Sequence, residues 1–174
     1  EDAFLAQNFF GTRASFPRLD AGRGLLLEGK GTGQFIAMNS ARSGIFIHGD
    51  QRGAATADYN GDARPDLLVG QNSGATKLYA NVRAKRGVAV QLVGQAGNQM
   101  AVGARIQLKH GTGFGPVREI RAGGGYRSQD SATQILGFGE NIPDGLTVAW
   151  PSGKTTEIAI PDITRKIQVS EDER

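Results

Sequence analysis

The chain has 174 residues, enough for one or two small domains with a modest core. Gly supplies 26 of them, hydrophobic residues 39% and charged residues 21%, a folded rather than disordered composition in which helix-favouring runs are scarce. The net charge of +3 is scattered, so no basic stripe for nucleic acid is present. No cysteine exists for a disulfide or thiolate metal site, and no apolar run reaches membrane-spanning length.

In chain order, residues 9–20 carry Gly11, Pro17 and mixed polar residues and read as a loop. Three short apolar runs bounded by Gly and polar clusters then predict strands over 24–28, 34–38 and 45–48. Residues 54–57 and 67–69 predict two more strands, and between them lies the most informative stretch of the chain, residues 58–66.

Oxygen-bearing side chains stand there at Asp58, Asn60, Asp62 and Asp66. The first three alternate, and a tight loop turns alternate side chains inward. A hard cation such as Ca²⁺ takes about six to eight oxygens from carboxylates, amides and backbone carbonyls. Three carboxylates and an amide supply much of that shell, and the backbone carbonyl of Arg64 is the natural fifth ligand where the loop folds back. Gly61 permits a bend with positive φ, and Pro65 stiffens the exit. The spacing resembles the start of an EF-hand, with two departures: Ala63 where that loop has glycine, and Val69 where it has a bidentate Glu. A solvated Asp/Asn turn is the plain alternative.

A metal loop between strands, followed by residues 66–74 and 77–81, resembles the FG-GAP or VCBS-type β-propeller repeat, the blade of integrin α-subunit heads. Residues 2–8 are similar to residues 66–72, as a repeat would be. The resemblance places Asp2 at the last ligand of an earlier loop, so preceding blades are expected to be missing from this chain. A domain is expected over 1–81, too little to close a ring of blades.

From Val82 the texture changes. After a basic link at 83–86, residues 88–93, 104–108, 117–121, 146–150, 156–160 and 166–169 alternate apolar and polar, as in antiparallel sheets wet on one side. With turn signals at 111–113, 143–145 and 151–153, this predicts a β-sandwich-like domain over 82–174. Residues 102–106, 118–129, 137–139 and 148–153 resemble the ASPIC/UnbV domain, named after cartilage acidic proteins and common in bacterial envelope proteins. At 135–139 the sequence Ile-Leu-Gly-Phe-Gly departs from the usual pattern by lacking its histidine. An FG-GAP blade commonly precedes this domain in that family.

Catalytic chemistry is sparsely signalled. His48 and His110 lie in unrelated segments and read as exposed loop residues, so no catalytic residue and no enzyme activity are expected. Residues 123–126 are glycine-rich but lack the Lys-Ser/Thr of a phosphate loop, and read as a bulge or bend; a surface pocket with Arg118, Arg121, Tyr126 and Arg127 is the functional alternative. Trp150 reads as a core residue at a strand end, and residues 171–174 as a frayed, solvated tail. The expectation is an all-β chain, a propeller-blade-like antiparallel sheet followed by a β-sandwich-like domain. Its expected role is that of a Ca²⁺-binding adhesion or interaction module, extracellular or in a bacterial envelope or periplasm. Its partner, protein or glycan, is not named by the sequence. A carbohydrate-binding module attached to a larger enzyme is the alternative.

Overall fold

The computed structural model describes residues 1–160 and 166–172. It is nearly all β, as expected, with antiparallel sheets dominating. Among the described residues no helix is long and apolar enough to cross a membrane. The chain divides into two compact units.

Unit 1 comprises Glu1–Thr56, Leu67–Ala80 and Gly125–Gln129. Strands β1 (Ala3–Leu5), β2 (Leu25–Gly29) and β3 (Phe35–Met38) form an antiparallel sheet in that spatial order. A single helical turn, α1 (Ser40–Ser43), follows; the Asn39 side chain accepts from Arg42 N and left-handed Gly44 ends it. Strands β4 (Asp50–Ala57), β5 (Asp66–Asn72) and β6 (Gly74–Tyr79) make a second sheet, with an irregularity in the β5–β6 register between Val69 and Gln71. Ile45, Ile47 and Val69 are buried, with Phe4, Leu26, Ala54, Leu67 and Tyr79 against them. This is a small core, and Phe35 and Ile36 on β3 each stay 53% exposed.

Residues 45–48 do not form the expected strand. Ile45 and Ile47 point inward and Phe46 and His48 outward, so the period of two is real. No ladder is needed to satisfy this backbone: the Tyr79 hydroxyl accepts from Phe46 N at 3.3 Å and donates to Phe46 O at 3.2 Å, and Ile47 N bonds Arg23 O at 2.9 Å.

Unit 2 comprises Ala57–Asp66, Asn81–Gly124 and Asp130–Arg174. One sheet has β10 (Arg118–Glu119), β8 (Arg105–His110), β12 (Gly145–Ala149) and β13 (Thr155–Ala159) in that spatial order, with β9 (Gly113–Phe114) also on β8. The other orders β11 (Gln134–Leu136), β7 (Val88–Val93) and β14 (Lys166–Ser170), the β7–β14 pair being parallel. Val88, Val90, Leu92, Leu136 and Val169 from this sheet join Ile106, Leu108, Leu146 and Val148 from the first in one apolar cluster. Each such side chain contributes about 1.5–3 kcal/mol on burial. Trp150 lies in this core as expected, its Nε1 donating to Thr156 Oγ1 at 2.8 Å beside the 151–154 turn.

Three expectations are corrected here. The strand predicted over 117–121 shrinks to two ladder residues, because Val117 is exposed and only Ile120 reaches the core. His110 ends β8 and is half-buried rather than an exposed loop residue. Glu171 is 8% exposed, not frayed: its N–H bonds Val93 O at 3.0 Å and its carboxylate accepts from Ser152 Oγ. In the rest of that tail Asp172 is exposed, and Glu173 and Arg174 lie outside the described residues.

Candidate functional site

Residues 58–66 connect β4 to β5, and four of their side chains fold the loop on itself. Asp58 is the hub. Its Oδ1 accepts from Gly61 N at 2.8 Å and Asp62 N at 3.0 Å, and its Oδ2 from Ala63 N at 2.8 Å. Asn60 Oδ1 accepts from Asp62 N at 3.0 Å. Short side chains that accept from backbone two to five residues ahead build a turn without a ladder.

Gly61 takes positive φ, 74°, as expected. Ala63 does too, with φ 62° at 2% exposure. The position where an EF-hand has glycine thus keeps the left-handed conformation, at a cost of about 1–2 kcal/mol for a residue with a Cβ. Three hydrogen bonds on Asp58 hold the chain in that turn.

Asp66 closes the loop. It is 2% exposed, and its Oδ2 accepts from Tyr59 N at 3.1 Å and its Oδ1 from Asn81 N at 2.7 Å. Asn81 also donates from Nδ2 to Pro65 O at 3.2 Å and accepts at Oδ1 from Ala84 N at 3.1 Å. Gly87 N bonds Ala63 O at 2.8 Å. Residues 81–87 are therefore a backing strip for the loop, which sequence reasoning treated only as a basic link.

Asp62 is paired with Arg64. Arg64 N donates to its Oδ1 at 3.0 Å and Arg64 Nη1 to its Oδ2 at 2.9 Å, while Arg64 Nε donates to Ala84 O at 2.6 Å. Desolvation raises the Asp62 pKa, but the Arg64 side-chain and backbone hydrogen bonds, the Arg64 charge and the Asn60 hydrogen bond outweigh it, and the net shift is downward from 3.8. Missed in the sequence was the Arg64 side chain. Its signal was present: it is the one cation between Asp58 and Asp66, two residues from Asp62.

Among the described residues no group of three His, Cys, Asp or Glu side chains is gathered as a metal cage. The expected ligands share one loop but are turned onto its N–H groups. The donor set itself fits a hard cation. Each carboxylate offers about four lone-pair sites and an amide oxygen two. On that count Asp58, Asn60, Asp62 and Asp66 each keep at least one lone pair beyond their bonds within the protein.

The other sequence candidates are divided between the two units. In unit 1, Gly125 and Ser128 form an isolated bridge, so the glycine-rich stretch ends in a tight bend, as expected. Tyr126 is exposed with the Arg127 guanidinium 5.5 Å from its ring centroid. In unit 2, Arg121 pairs with Glu119 at 3.1 Å.

No curated protein matches the chain. Residues 94–174 match the ASPIC and UnbV family, so an ASPIC/UnbV domain is found over that span, beginning one residue after β7.

Proposed function

We propose that this chain is a non-enzymatic, Ca²⁺-stabilised adhesion or interaction module of an extracytoplasmic protein. In this reading, blade-like sheets of FG-GAP or VCBS type precede the ASPIC/UnbV domain, and the 58–66 loop takes the cation through Asp58, Asn60, Asp62, Asp66 and the Arg64 carbonyl. The observation that carries it is the loop's donor set: four oxygen side chains, each anchored by backbone N–H groups and each with lone pairs to spare. The repeat reading has its own support. Asp2 Oδ1 accepts from Gly29 N at 2.9 Å, the counterpart of Asp66 Oδ1 on Asn81 N. Without a bidentate Glu at Val69, the loop belongs with weak extracellular calcium modules of about 10⁻⁴–10⁻³ M, filled outside a cell and empty inside.

The test is calorimetric titration with CaCl₂, paired with melting in calcium and in EDTA. At about a hundred times the dissociation constant, binding should stabilise the fold by roughly 2.7 kcal/mol. Asp62→Ala should remove the calcium-dependent rise in Tm, whereas Asp130→Ala, outside the loop, should keep it. No uptake at millimolar Ca²⁺, with a Tm indifferent to chelation, would leave 58–66 as a plain Asp-rich turn.

A further inference from the structure

We infer that Arg64 is a resident counter-cation of the 58–66 loop, which competes with Ca²⁺ for Asp62 and ties the loop's state to residues 81–87. The inference rests on the reading of this loop as a calcium site.

Three carboxylates lie within nine residues, and Arg64 is the only cation among them. Its guanidinium does two things at once. Nη1 holds Asp62 Oδ2 at 2.9 Å and Nε holds Ala84 O at 2.6 Å. The two paired side chains are only 22% and 23% exposed, so water and salt screen them less than a surface pair. A planar fork suits this double grip, which a lysine ammonium cannot reproduce at both points.

Two of the loop's three acids thus reach the same strip. Asp62 does so through Arg64 to Ala84, and Asp66 through Asn81 N. Ala84 N in turn donates to Asn81 Oδ1, and Gly87 N to Ala63 O. For Asp62 to turn both its charge and a lone pair to a divalent cation, the guanidinium beside it must loosen its hold, since two cations on one carboxylate repel. Its grip on Ala84 O loosens with it. Arg64 therefore sets two properties of the site. It lowers calcium affinity by occupying an acid that the cation needs, and it makes the order of residues 81–87 respond to calcium.

The experiment titrates the full chain, Arg64→Gln and Arg64→Lys with CaCl₂ by calorimetry, and follows amide hydrogen exchange at residues 81–87 with and without calcium. Arg64→Gln should bind calcium about tenfold more tightly, and Arg64→Lys, which keeps the charge, should stay within about threefold of the parent. Exchange at Ala84 and Gly87 should change with calcium in the parent and much less in Arg64→Lys. Calcium binding by the parent with equal or weaker binding by Arg64→Gln overturns the role of Arg64 and leaves the calcium reading standing. Absence of binding in all three proteins defeats the calcium reading and this inference together. If Arg64→Gln does not fold, the exchange comparison decides: residues 81–87 indifferent to calcium in the parent overturn the coupling.

Discussion

Asp66 and Asp62 are both acids in one loop, yet they do different work. Asp66 is buried and holds two backbone donors, Tyr59 N and Asn81 N, so its role in the fold precedes any metal. Asp62 is partly exposed and faces a side chain that could let go. Asp66→Ala would leave two shielded N–H groups without their carboxylate. The expected loss is about 2–6 kcal/mol, since each of the two stranded donors costs about 1–3 kcal/mol. Urea unfolding in EDTA, where calcium plays no part, measures it, and a loss below about 1 kcal/mol would mean that water replaces the carboxylate easily. That the loop's oxygen-bearing side chains belong together was legible at this scale, because their spacing is in the sequence. Their hydrogen-bonded state was not, because Asn81, Ala84 and Gly87 reach the loop only once the chain turns back after β6.

At the scale of elements, strands with clean alternation and a long ladder were readable. β7, β8, β12 and β14 lie where the apolar period of two puts them, since a one-residue slip would turn their core side chains to water. Short elements were not: β9 and β11 have two and three residues, too few to show a period. Turns were legible only by their residues, not by their crowding. Gly94 opens the 94–101 turn, donating to Gln99 O at 3.0 Å, and a Cβ there would sit 2.3 Å from Asn98 O. That atom is backbone, and Asn98 is fixed by side-chain bonds to Val102 N and Val102 O, both 2.9 Å. Gly94→Ala should therefore destabilise by about 1–3 kcal/mol, the usual cost of forcing atoms into filled space. Gly137→Ala, with nothing within 4 Å of the new Cβ and no positive φ, should be close to neutral. Equal melting temperatures for the two variants would show that the 94–101 turn can shift to admit a methyl.

On the scale of the whole molecule, the two units differ in how much core each can call on. Unit 2 has valines, leucines and isoleucines from two sheets in one cluster, all within residues 88–169. Unit 1 has a core of three buried apolar residues, Ile45, Ile47 and Val69, and leaves Phe16, Phe35, Ile36 and Leu78 half or more exposed. Sequence order does not follow the units: residues 57–66 group with the second, and Gly125–Gln129 with the first. Within unit 1, a Cβ on Gly53 would lie 3.1 Å from Tyr126 O and 3.2 Å from Ser128 Cβ, so that segment rests closely on β4. A fragment of residues 82–174 should consequently fold, because its cluster is intact, but with two local losses. Residues 82–87 lose Ala63 and Arg64, and residues 125–129 lose β4. A fragment of residues 1–81 should not fold, because its core is small, its β3 edge is apolar and unpaired, and 125–129 is absent. Amide spectra of both fragments, with hydrogen exchange on the second, decide the matter. The expected result is a collapsed spectrum for 1–81, and for 82–174 a dispersed one with fast exchange confined to its first residues and to 125–129. A dispersed spectrum from 1–81 would show that the few contacts around Ile47 and Val69 suffice, and a collapsed one from 82–174 that its sandwich depends on the 58–66 loop ahead of it.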